Sequence, residues 1–326
     1  MTPTIKDVAL AAGVSVGTVS KVLNKTGTIA AGTRERVTEV ARTLNFRPNA
    51  LAQSLHSGLS GSIGLISNDS FGRFTMPIME GLEAVLATKG VGVFMCNATD
   101  DPDRERRHVE QLLSKQIDGL IVTSRRSDHR PAMQLGGLTI PVIHVFAHAD
   151  DPDALSLLPD DQGGARLAVD HLIRTGRRRI AHVTGPARFE AVRLRMDGYH
   201  AALAAADIPP LPVLHGPWSE AWGRAAVAQL LSGLPDAIFC GNDQIARGAA
   251  DALREAGRLV PQDVALIGFD NWGVITEACR PPLSSVDMGL AALGAEAGRR
   301  MLAMIAGQRF RGLERLPCHL ILRATT

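Results

Sequence analysis

Apolar positions in the first fifty residues recur at helical spacing in three short runs. The runs are Ile5, Val8, Ala9 and Ala12, then Val19, Val22 and Leu23, then Val37, Val40, Ala41 and Leu44. Thr4, Ser15 and Thr33 come just before or early in these runs and are residue types that cap helices. Gly13 ends the first pattern and Pro48 ends the third. The pattern predicts a unit of three short helices over residues 1–48.

From Ser62 the pattern changes to apolar strands alternating with amphipathic helices. The predicted strands are SIGLI (62–66), VGVFMCN (91–97), DGLIVTS (118–124), PVIHVF (141–146), IAHVTG (180–185), AIFCGN (237–242) and ALIGFD (265–270). Predicted helices include 75–89, 103–115, 163–176, 193–206, 219–233 and 243–256. Several strands are continuous apolar runs, which is typical of parallel strands covered on both faces. This order predicts two parallel sheets with right-handed crossovers.

Polar and aromatic residues follow the predicted strands. These strand ends read Ser67-Asn68-Asp69, Phe146, Gly185-Pro186, Gly241-Asn242-Asp243 and Asp270-Asn271. In open α/β sheets ligands bind outside the carboxyl ends of the strands. The pattern therefore predicts a small-molecule site at this edge.

Composition fits a globular protein of more than one domain. The chain has 326 residues, 45% of them apolar and 21% charged, and domains usually hold about 100–200 residues. No apolar run approaches the roughly 20 residues of a membrane span, and Lys6 with Asp7 breaks any signal-peptide core. We expect a cytoplasmic protein with no membrane partner. The four cysteines are scattered and are expected to be reduced thiols: Cys96, Cys240, Cys279 and Cys318.

Basic charge is concentrated at the N-terminus. Residues 1–60 hold seven Lys/Arg and three Asp/Glu, a net +4, whereas the whole chain carries +2. A basic head on a near-neutral body favours contact with a polyanion through the head, although a solvated basic face would give the same count.

Catalytic motifs are missing from the sequence. GTIAAGT (27–33) has glycines at a phosphate-loop-like spacing but no lysine, and neither a dinucleotide fingerprint nor a G-x-S-x-G elbow occurs. His144 and His148 are four residues apart, but the first lies on a predicted strand, so they do not share a helical face. Asp150, Asp151 and Asp153 lack calcium-loop spacing. We therefore expect no cofactor, no metal and no enzymatic activity.

The second predicted helix presents an unusual outer face. Gly17 and Lys21 lie opposite its apolar side, with Val16 and Ser20 beside them. Short side chains permit close approach to a DNA groove, as in the second helix of a helix-turn-helix unit. Lys21 could donate to guanine and Val16 could contact a thymine methyl. Possible phosphate partners are Thr4, Ser15, Thr18, Ser20, Asn24 and Thr33. A purely structural three-helix head would look similar.

TIKDVALAAGVSVGTVSKVLN, followed by TRERVTEVARTLNFRPNALAQSL, closely resembles the N-terminal signature of the lac repressor (LacI/GalR) family. IDGLIVTS, IPVIHVF, AIFCGNDQIARGAADALREAG, VPQDVALIGFDN and RPPLSSV resemble core segments of that family. The resemblance implies an all-α helix-turn-helix head (1–48), a hinge (49–60) and a periplasmic-binding-protein-like body (61–326). Its N-subdomain would span about 61–158 and 287–313, and its C-subdomain about 159–286 and 314–326.

Within the hinge, the resemblance implies DNA contacts by Asn49, Ala52 and Leu55. Leu55 matches the leucine that wedges between base pairs in the minor groove, and Ala52 matches a minor-groove contact. About seven residues are too few for a helix on their own, so the hinge is expected to fold on DNA.

For the body, the resemblance implies a ligand site that includes Asn68, Phe74, Phe146, Phe189, Arg195, Trp218, Asn242 and Asp270. Phe146 stands where many relatives carry aspartate, and Phe189 and Met288 replace common polar contacts. These departures make a pentose, a glycoside with an apolar aglycone or a sugar acid as suitable as a hexose.

Together these observations predict a homodimeric repressor of carbohydrate genes that binds palindromic operator DNA and is released from it by a sugar-like inducer. No leucine heptads follow HLILRATT, which favours a dimer over a tetramer. A co-repressor with a non-sugar effector is the alternative, and a solute-binding or sugar-processing protein is a remote one.

Overall fold

The computed structural model describes residues 3–24, 26–46, 58–130 and 139–326. The chain divides into two compact units, Met1–Gly61 (the head) and Ser62–Thr326 (the body). Asn49, Ala52 and Leu55 lie outside the described residues. Among the described helices, none combines the length and apolar character that a membrane crossing requires.

The described part of the head contains three helices: α1 (Ile5–Ala12), α2 (Val16–Leu23) and α3 (Ala31–Thr43). Their apolar residues form one core, centred on Val8, Val19 and Val37, which are fully buried. The Thr4 N–H donates to the Asp7 carboxylate (2.7 Å), and the Ser15 hydroxyl accepts from the Thr18 N–H (3.1 Å). Both residues therefore cap helices as predicted.

The predicted cap of the third helix is wrong. Helix α3 begins at Ala31 after Ala30, so Thr33 lies within its first turn. Ala30 has no side-chain oxygen, and the Thr33 N–H instead donates to the Ala30 carbonyl (3.0 Å). The N-cap position therefore lies three residues before Thr33, and Ala31, a strong helix former, is the first helical residue.

The described part of the body contains two six-stranded sheets and one two-stranded sheet. We call the two six-stranded sheets, each together with the helices that cover it, the first and second lobe. Its strands in chain order are β1 (Ser62–Ser67), β2 (Gly92–Asn97), β3 (Gly119–Thr123), β4 (His129–Arg130), β5 (Val142–Val145), β6 (His148–Ala149), β7 (Leu155–Pro159), β8 (Ile180–Thr184), β9 (Leu214–His215), β10 (Ala237–Cys240), β11 (Ala265–Phe269), β12 (Ser284–Asp287), β13 (Gly312–Leu316) and β14 (His319–Ile321). The first sheet runs β13-β7-β5-β3-β1-β2 and is parallel throughout. The second runs β14-β12-β11-β10-β8-β9, with only β14 antiparallel in it. Strands β4 and β6 form the two-stranded sheet. The predicted α/β body of two parallel-sheet subdomains is confirmed.

Helices cover both sheets, because the strands are apolar on both faces. They are α4 (Thr75–Leu86), α5 (Pro102–Ser114), α6 (Asp161–Arg174), α7 (Glu190–Ala205), α8 (Glu220–Leu230), α9 (Asp243–Glu255), α10 (Gly273–Thr276) and α11 (Leu290–Ile305). Some pack at very close range: a Cβ on Gly81 of α4 would lie 1.8 Å from the Ala291 carbonyl oxygen of α11. Glycine at position 81 therefore permits the contact between these two helices.

The described chain crosses between the lobes three times, near Asp160, Met288 and Pro317. The crossings lie side by side. The Asp160 N–H donates to the Leu316 carbonyl (2.8 Å), and a Cβ on Gly289 would lie 3.8 Å from the Pro317 carbonyl oxygen. The last crossing follows Leu316, so the predicted boundary at 313/314 falls inside β13.

The sequence pattern did not single out β7, β12, β13, β14 or helix α11. Strand β7 reads LSLLP and is fully buried although it ends in proline, a residue that usually argues against a strand. Strand β7 can occupy an inner position in the first sheet because the proline, Pro159, is its last residue. At the end of a strand, the missing N–H does not interrupt the hydrogen bonds between strands.

Candidate functional site

A cavity of about 610 Å³ lies between the lobes at the carboxyl ends of their strands. This is the edge at which parallel α/β sheets bind ligands, and the volume is within the range of about 300–1,000 Å³ typical of small-molecule sites. Seven of the eight predicted ligand residues line it: Phe74, Phe146, Phe189, Arg195, Trp218, Asn242 and Asp270. They come from both lobes, so the cavity depends on how the lobes are arranged.

Asn68 is the exception, because it does not line the cavity. Its amide group donates to the Asp100 carboxylate, and its side-chain oxygen accepts the Arg125 N–H (2.9 Å). Asn68 follows a strand as predicted, but its side chain ties together two loops of the first lobe.

The floor of the cavity is a buried cluster of charges around Arg195, which is 5% exposed. Its Nε donates to Asp161 (2.8 Å), and its Nη1 donates to the Gly241 carbonyl (2.5 Å) and lies 3.7 Å from Asp270. The guanidinium carbon also lies 3.6 Å from the centre of the Phe269 ring. Arg195 is thus fixed by the protein before any ligand arrives.

Burial dominates the acid–base behaviour of this floor. It raises the pKa of Asp161 and of Asp270, although the neighbouring arginines oppose the shift. Burial, with the charge of Asp270, raises the pKa of Asp243 to about 8. The Asp243 carboxyl accepts from the Ser285 hydroxyl (2.5 Å) and from the Trp272 N–H (2.7 Å).

Two cavity residues have backbone conformations that side chains rarely adopt. Asp270 has φ of 102° and Phe146 has φ of 52°. Strained non-glycine residues of this kind cost roughly 1–3 kcal/mol each and cluster at functional sites. Both directly follow the strands β11 and β5, and the strain turns their side chains into the cavity lining.

Arg73 joins the two lobes across the cavity and was not predicted from the sequence. It belongs to the first lobe, but its guanidinium contacts the Asp270 carboxylate and the Gln244 side-chain oxygen (3.2 Å) of the second. Its guanidinium carbon lies 4.4 Å from the centre of the Trp272 ring. The sequence signal was its place in the loop after a predicted strand end.

Aromatic rings form much of the cavity wall. Phe74 and Phe146 stack with ring centres 4.9 Å apart, and Arg126 lies over Phe189 at 5.1 Å. Trp218 lies against the backbone of Gly185, where a Cβ would come within 2.3 Å of its ring. The wall therefore offers flat apolar faces beside a charged floor.

Asn242 links the cavity to the start of helix α9. Its side-chain oxygen accepts the Ile245 N–H (2.9 Å), so it caps the helix. This contact fixes the orientation of the amide, and its Nδ2 group is the part able to reach a ligand.

In the head, the outer face of α2 matches the predicted one. Val16, Gly17 and Lys21 are exposed, whereas Val19 and Val22 are buried. Thr18 and Ser20 are half-buried and bonded within the helix region: the Thr18 hydroxyl lies 2.9 Å from that of Ser15, and Ser20 Oγ accepts from Asn24 (3.3 Å). Of these exposed residues, Val16 and Gly17 are short and uncharged, and Lys21 is the long, charged one.

The chain matches two family profiles. That of the bacterial regulatory proteins of the lacI family covers residues 4–49, and that of the periplasmic binding protein-like domain covers residues 169–326. Full-length relatives are similar as well. The HTH-type transcriptional repressor PurR of Haemophilus influenzae (strain PittEE) is 35% identical over 93% of this chain and 91% of its own. The ribose operon repressor of Escherichia coli (strain K12) is 34% identical over 89% of both chains.

Two solved structures align with almost the whole length of this chain. The lac repressor dimer bound to operator and the anti-inducer ONPF aligns with a TM-score of 0.79 and 28% identity, covering 100% of this chain and 99% of that one. The complex of the transcriptional regulator CelR with cellobiose aligns with a TM-score of 0.65 and 28% identity, covering 99% and 100%.

Proposed function

The chain belongs to the lacI family of ligand-responsive, DNA-binding bacterial regulators, and on that premise we propose that it represses carbohydrate-utilisation genes until a sugar-like inducer binds its cavity. Its relatives are transcriptional repressors, and the chain is not an enzyme. Members of the family bind operator DNA and small-molecule effectors and form dimers, and they act in the cytoplasm, where the operator is.

Operator recognition is assigned to the outer face of α2. Lys21 supplies the hydrogen-bond donors and Val16 the apolar contact, while Gly17 lets the backbone approach the base edges. Two heads of a homodimer would read a palindromic operator, since the symmetry of the site mirrors that of the protein. The operator-bound dimer of the lac repressor supports this arrangement.

The observation that carries the effector proposal is the two-lobed cavity with a charged floor and aromatic walls. Asn242 and Asp270 offer a donor and an acceptor for hydroxyl groups, and the rings of Trp218 and Phe189 offer apolar faces for a sugar. Relatives named for ribose and cellobiose support this ligand class. Because Arg195 is already bound to Asp161, a neutral pentose or a glycoside suits the floor better than a sugar acid.

A flat, aromatic effector acting as co-repressor is the second candidate. Six aromatic side chains line the cavity, a feature that fits a planar ring as well as a sugar: Phe71, Phe74, Phe146, Phe189, Trp218 and Trp272. Such a ligand would use the same residues but would favour the operator-binding state.

The response is a shift between lobe arrangements. Arg73 holds Asp270 and Gln244 of the other lobe, so a ligand that competes for Asp270 changes the contact between the lobes. In a dimer that change would separate the paired hinges, and the heads would lose cooperative contact with the operator.

A thermal-shift screen of the full-length protein tests the effector class. Neutral pentoses, glycosides, sugar acids and planar nitrogen heterocycles form the four sets, and we expect the first two to raise the melting temperature. Phe189→Ala and Asp270→Asn should abolish the shift, whereas Phe94→Ala should retain it, because Phe94 is 47% exposed and does not line the cavity. A shift that survives in both cavity variants would place the effector elsewhere.

Operator binding is tested with Leu55→Ala over a series of salt concentrations. Specific binding should weaken steeply with salt through phosphate contacts. If Leu55 wedges into the operator, its loss should weaken operator binding far more than binding to random DNA. Equal losses on both DNAs would contradict the wedge.

A further inference from the structure

Three side chains from distant parts of the sequence meet at the junction of the lobes. His129 on β4 and His148 on β6 are paired in register in a two-stranded parallel sheet, with ring centres 3.7 Å apart. Glu190 begins helix α7 of the second lobe. Both histidines belong to the connections of the first lobe, so the cluster spans the two lobes.

The nitrogen–oxygen distances in this cluster are too long for good hydrogen bonds but suit side chains that bind one metal ion between them. Oε2 of Glu190 lies 3.5 Å from Nε2 of His129 and 3.5 Å from Nδ1 of His148. Hydrogen bonds to nitrogen are shorter, about 2.7–3.2 Å. Accordingly, Nδ1 of His148 and Oε2 of Glu190 are both buried atoms without a hydrogen-bond partner among the described residues.

A single ion fits between the three atoms. All three lie within 4.8 Å of one another. With two separations of 3.5 Å, the point equidistant from them is at most about 2.4 Å from each, close to the roughly 2.0–2.2 Å of zinc–nitrogen and zinc–oxygen bonds. A contraction of a few tenths of an ångström would therefore complete the coordination.

The surrounding residues orient the ligand atoms. Nδ1 of His129 lies 3.1 Å from the Asp150 carboxylate, which leaves its Nε2 directed towards the cluster. Arg315 donates to Oε1 of Glu190 (3.2 Å), which leaves Oε2 for the ion. A carboxylate behind a ligating histidine is a usual feature of metal sites, because it fixes the ring and raises its basicity.

We propose that His129, His148 and Glu190 form a binding site for one divalent transition-metal ion such as Zn²⁺, with water as the fourth ligand. Two imidazoles and one carboxylate suit Zn²⁺, Ni²⁺ or Cu²⁺, whereas Mg²⁺ and Ca²⁺ prefer oxygen ligands. The sequence predicted no metal because the three residues share no short motif.

The ion would couple to the effector cavity next to it. Asp128 and Phe189, which precede two of the ligands, line that cavity, and the Asp128 carboxylate accepts the Glu190 N–H (2.8 Å). A bound ion ties the lobes together at this point, so it changes effector affinity, and the effector changes metal affinity by the same factor. Metal binding itself does not depend on the proposed sugar or operator.

Titration of the full-length, tag-free protein with Zn²⁺, monitored by calorimetry or by competition with a chromophoric chelator, tests the site. We expect one ion per chain and at least a tenfold weaker association in His129→Ala, His148→Ala and Glu190→Gln. His129 is 55% exposed in its side chain, so its replacement is not expected to disturb folding. His108→Ala is the matched control, since His108 is a half-buried histidine on α5 outside the cluster.

Absence of saturable Zn²⁺ binding, or equal affinity in the cluster variants and the control, would overturn the proposal and leave the three residues as an ion-paired cluster. Tetrahedral d–d absorption of Co²⁺ that disappears in His129→Ala but persists in His108→Ala would support it independently. Mg²⁺ in place of Zn²⁺ should give no binding at this site.

Discussion

The outer face of α2 and the cavity of the body are both surfaces for recognising another molecule, but they are built in opposite ways. The helix face is exposed and nearly empty of functional groups, with Lys21 as its charge. The cavity floor is buried and holds Arg195, whose guanidinium is bonded to Asp161 and lies 3.7 Å from Asp270. The helix face can approach DNA closely because its side chains are short. The cavity, in contrast, depends on buried charged side chains that the fold holds in position.

The largest expected loss of stability comes from removing the buried cation of the cavity floor. Arg195→Met would leave Asp161 and Asp270 buried without this cation, and removing one partner of a buried ion pair typically costs about 3–5 kcal/mol of unfolding free energy. Urea unfolding followed by tryptophan fluorescence measures this, because Trp218, Trp222 and Trp272 all lie in the body.

Arg193→Met is the control on the same helix. Its side chain is 57% exposed and pairs with Asp197 at 3.4 Å, and exposed pairs contribute at most about 1 kcal/mol. Equal, small losses in both variants would mean that the floor is not held by its charges.

Lys21→Ala tests the opposite design in the head. If Lys21 donates to a guanine, its loss should weaken operator binding by about 1–3 kcal/mol, roughly five- to 150-fold. Fluorescence anisotropy with an operator selected from randomised palindromes, and with random DNA, measures the change. Lys6→Ala removes a similarly exposed lysine outside the predicted reading face. Equal weakening on both DNAs would make Lys21 a phosphate contact.

Asp243, whose carboxyl accepts from the N–H of the cavity residue Trp272, makes the stability of the body depend on pH. Its folded-state pKa of about 8 lies above the ordinary value of 3.8, so the native protein holds a proton that the unfolded chain releases. Its stabilising contribution is full below about pH 4 and is lost as the pH rises towards 8, by up to about 1.4 kcal/mol per pH unit. Asp7 in the head behaves oppositely, since hydrogen bonds from Thr4 lower its pKa.

Asp243→Asn removes this titration while keeping the shape of the side chain. Urea unfolding of both proteins between about pH 5 and 8 should show the wild type losing stability relative to the variant as the pH rises. Parallel curves would show that Asp243 is ionised throughout that range.

The smallest expected effect is on the stability of helix α2, and it tests whether Ser15 caps that helix or contacts a DNA phosphate. As the cap of α2 it should contribute about 0.5–2 kcal/mol to that helix, so Ser15→Ala should speed hydrogen exchange of the α2 amides in the full-length protein. Ser20→Ala, within the same helix, should not. Unchanged exchange together with weaker DNA binding would make Ser15 a phosphate contact instead.

The sequence was sufficient for seven of the strands and for the helices between them, because those strands are local apolar runs and those helices are local periodic patterns, but β7, β12, β13, β14 and α11 were missed. It also indicated the strand ends that hold Phe146, Asn242 and Asp270. It could not place Asn68 correctly, since the partners of that side chain, Asp100 and Arg125, lie on other loops.

Contacts between lobes were beyond the reach of pattern analysis. Arg73 meets Asp270 from 197 positions away in the sequence, and no spacing rule connects them. The same holds for the cluster of His129, His148 and Glu190, which exists only because two short strands and a helix start converge. The error at Thr33 is of another kind, since Ala30 occupies the N-cap position of α3 without the side-chain hydrogen bond that the prediction required.

The three adjacent crossings near Asp160, Met288 and Pro317 limit how the lobes can move. A single covalent connection would allow the lobes to rotate about any axis. Three adjacent connections restrict the motion to rotation about the line that joins them. Rotation that opens the lobes about that line costs little energy. Twisting across the line would stretch or break the hydrogen bond from the Asp160 N–H to the Leu316 carbonyl. An effector or an ion that bridges the lobes beside this line therefore favours one rotation about it, and a single rotation is a motion that two paired subunits can follow together.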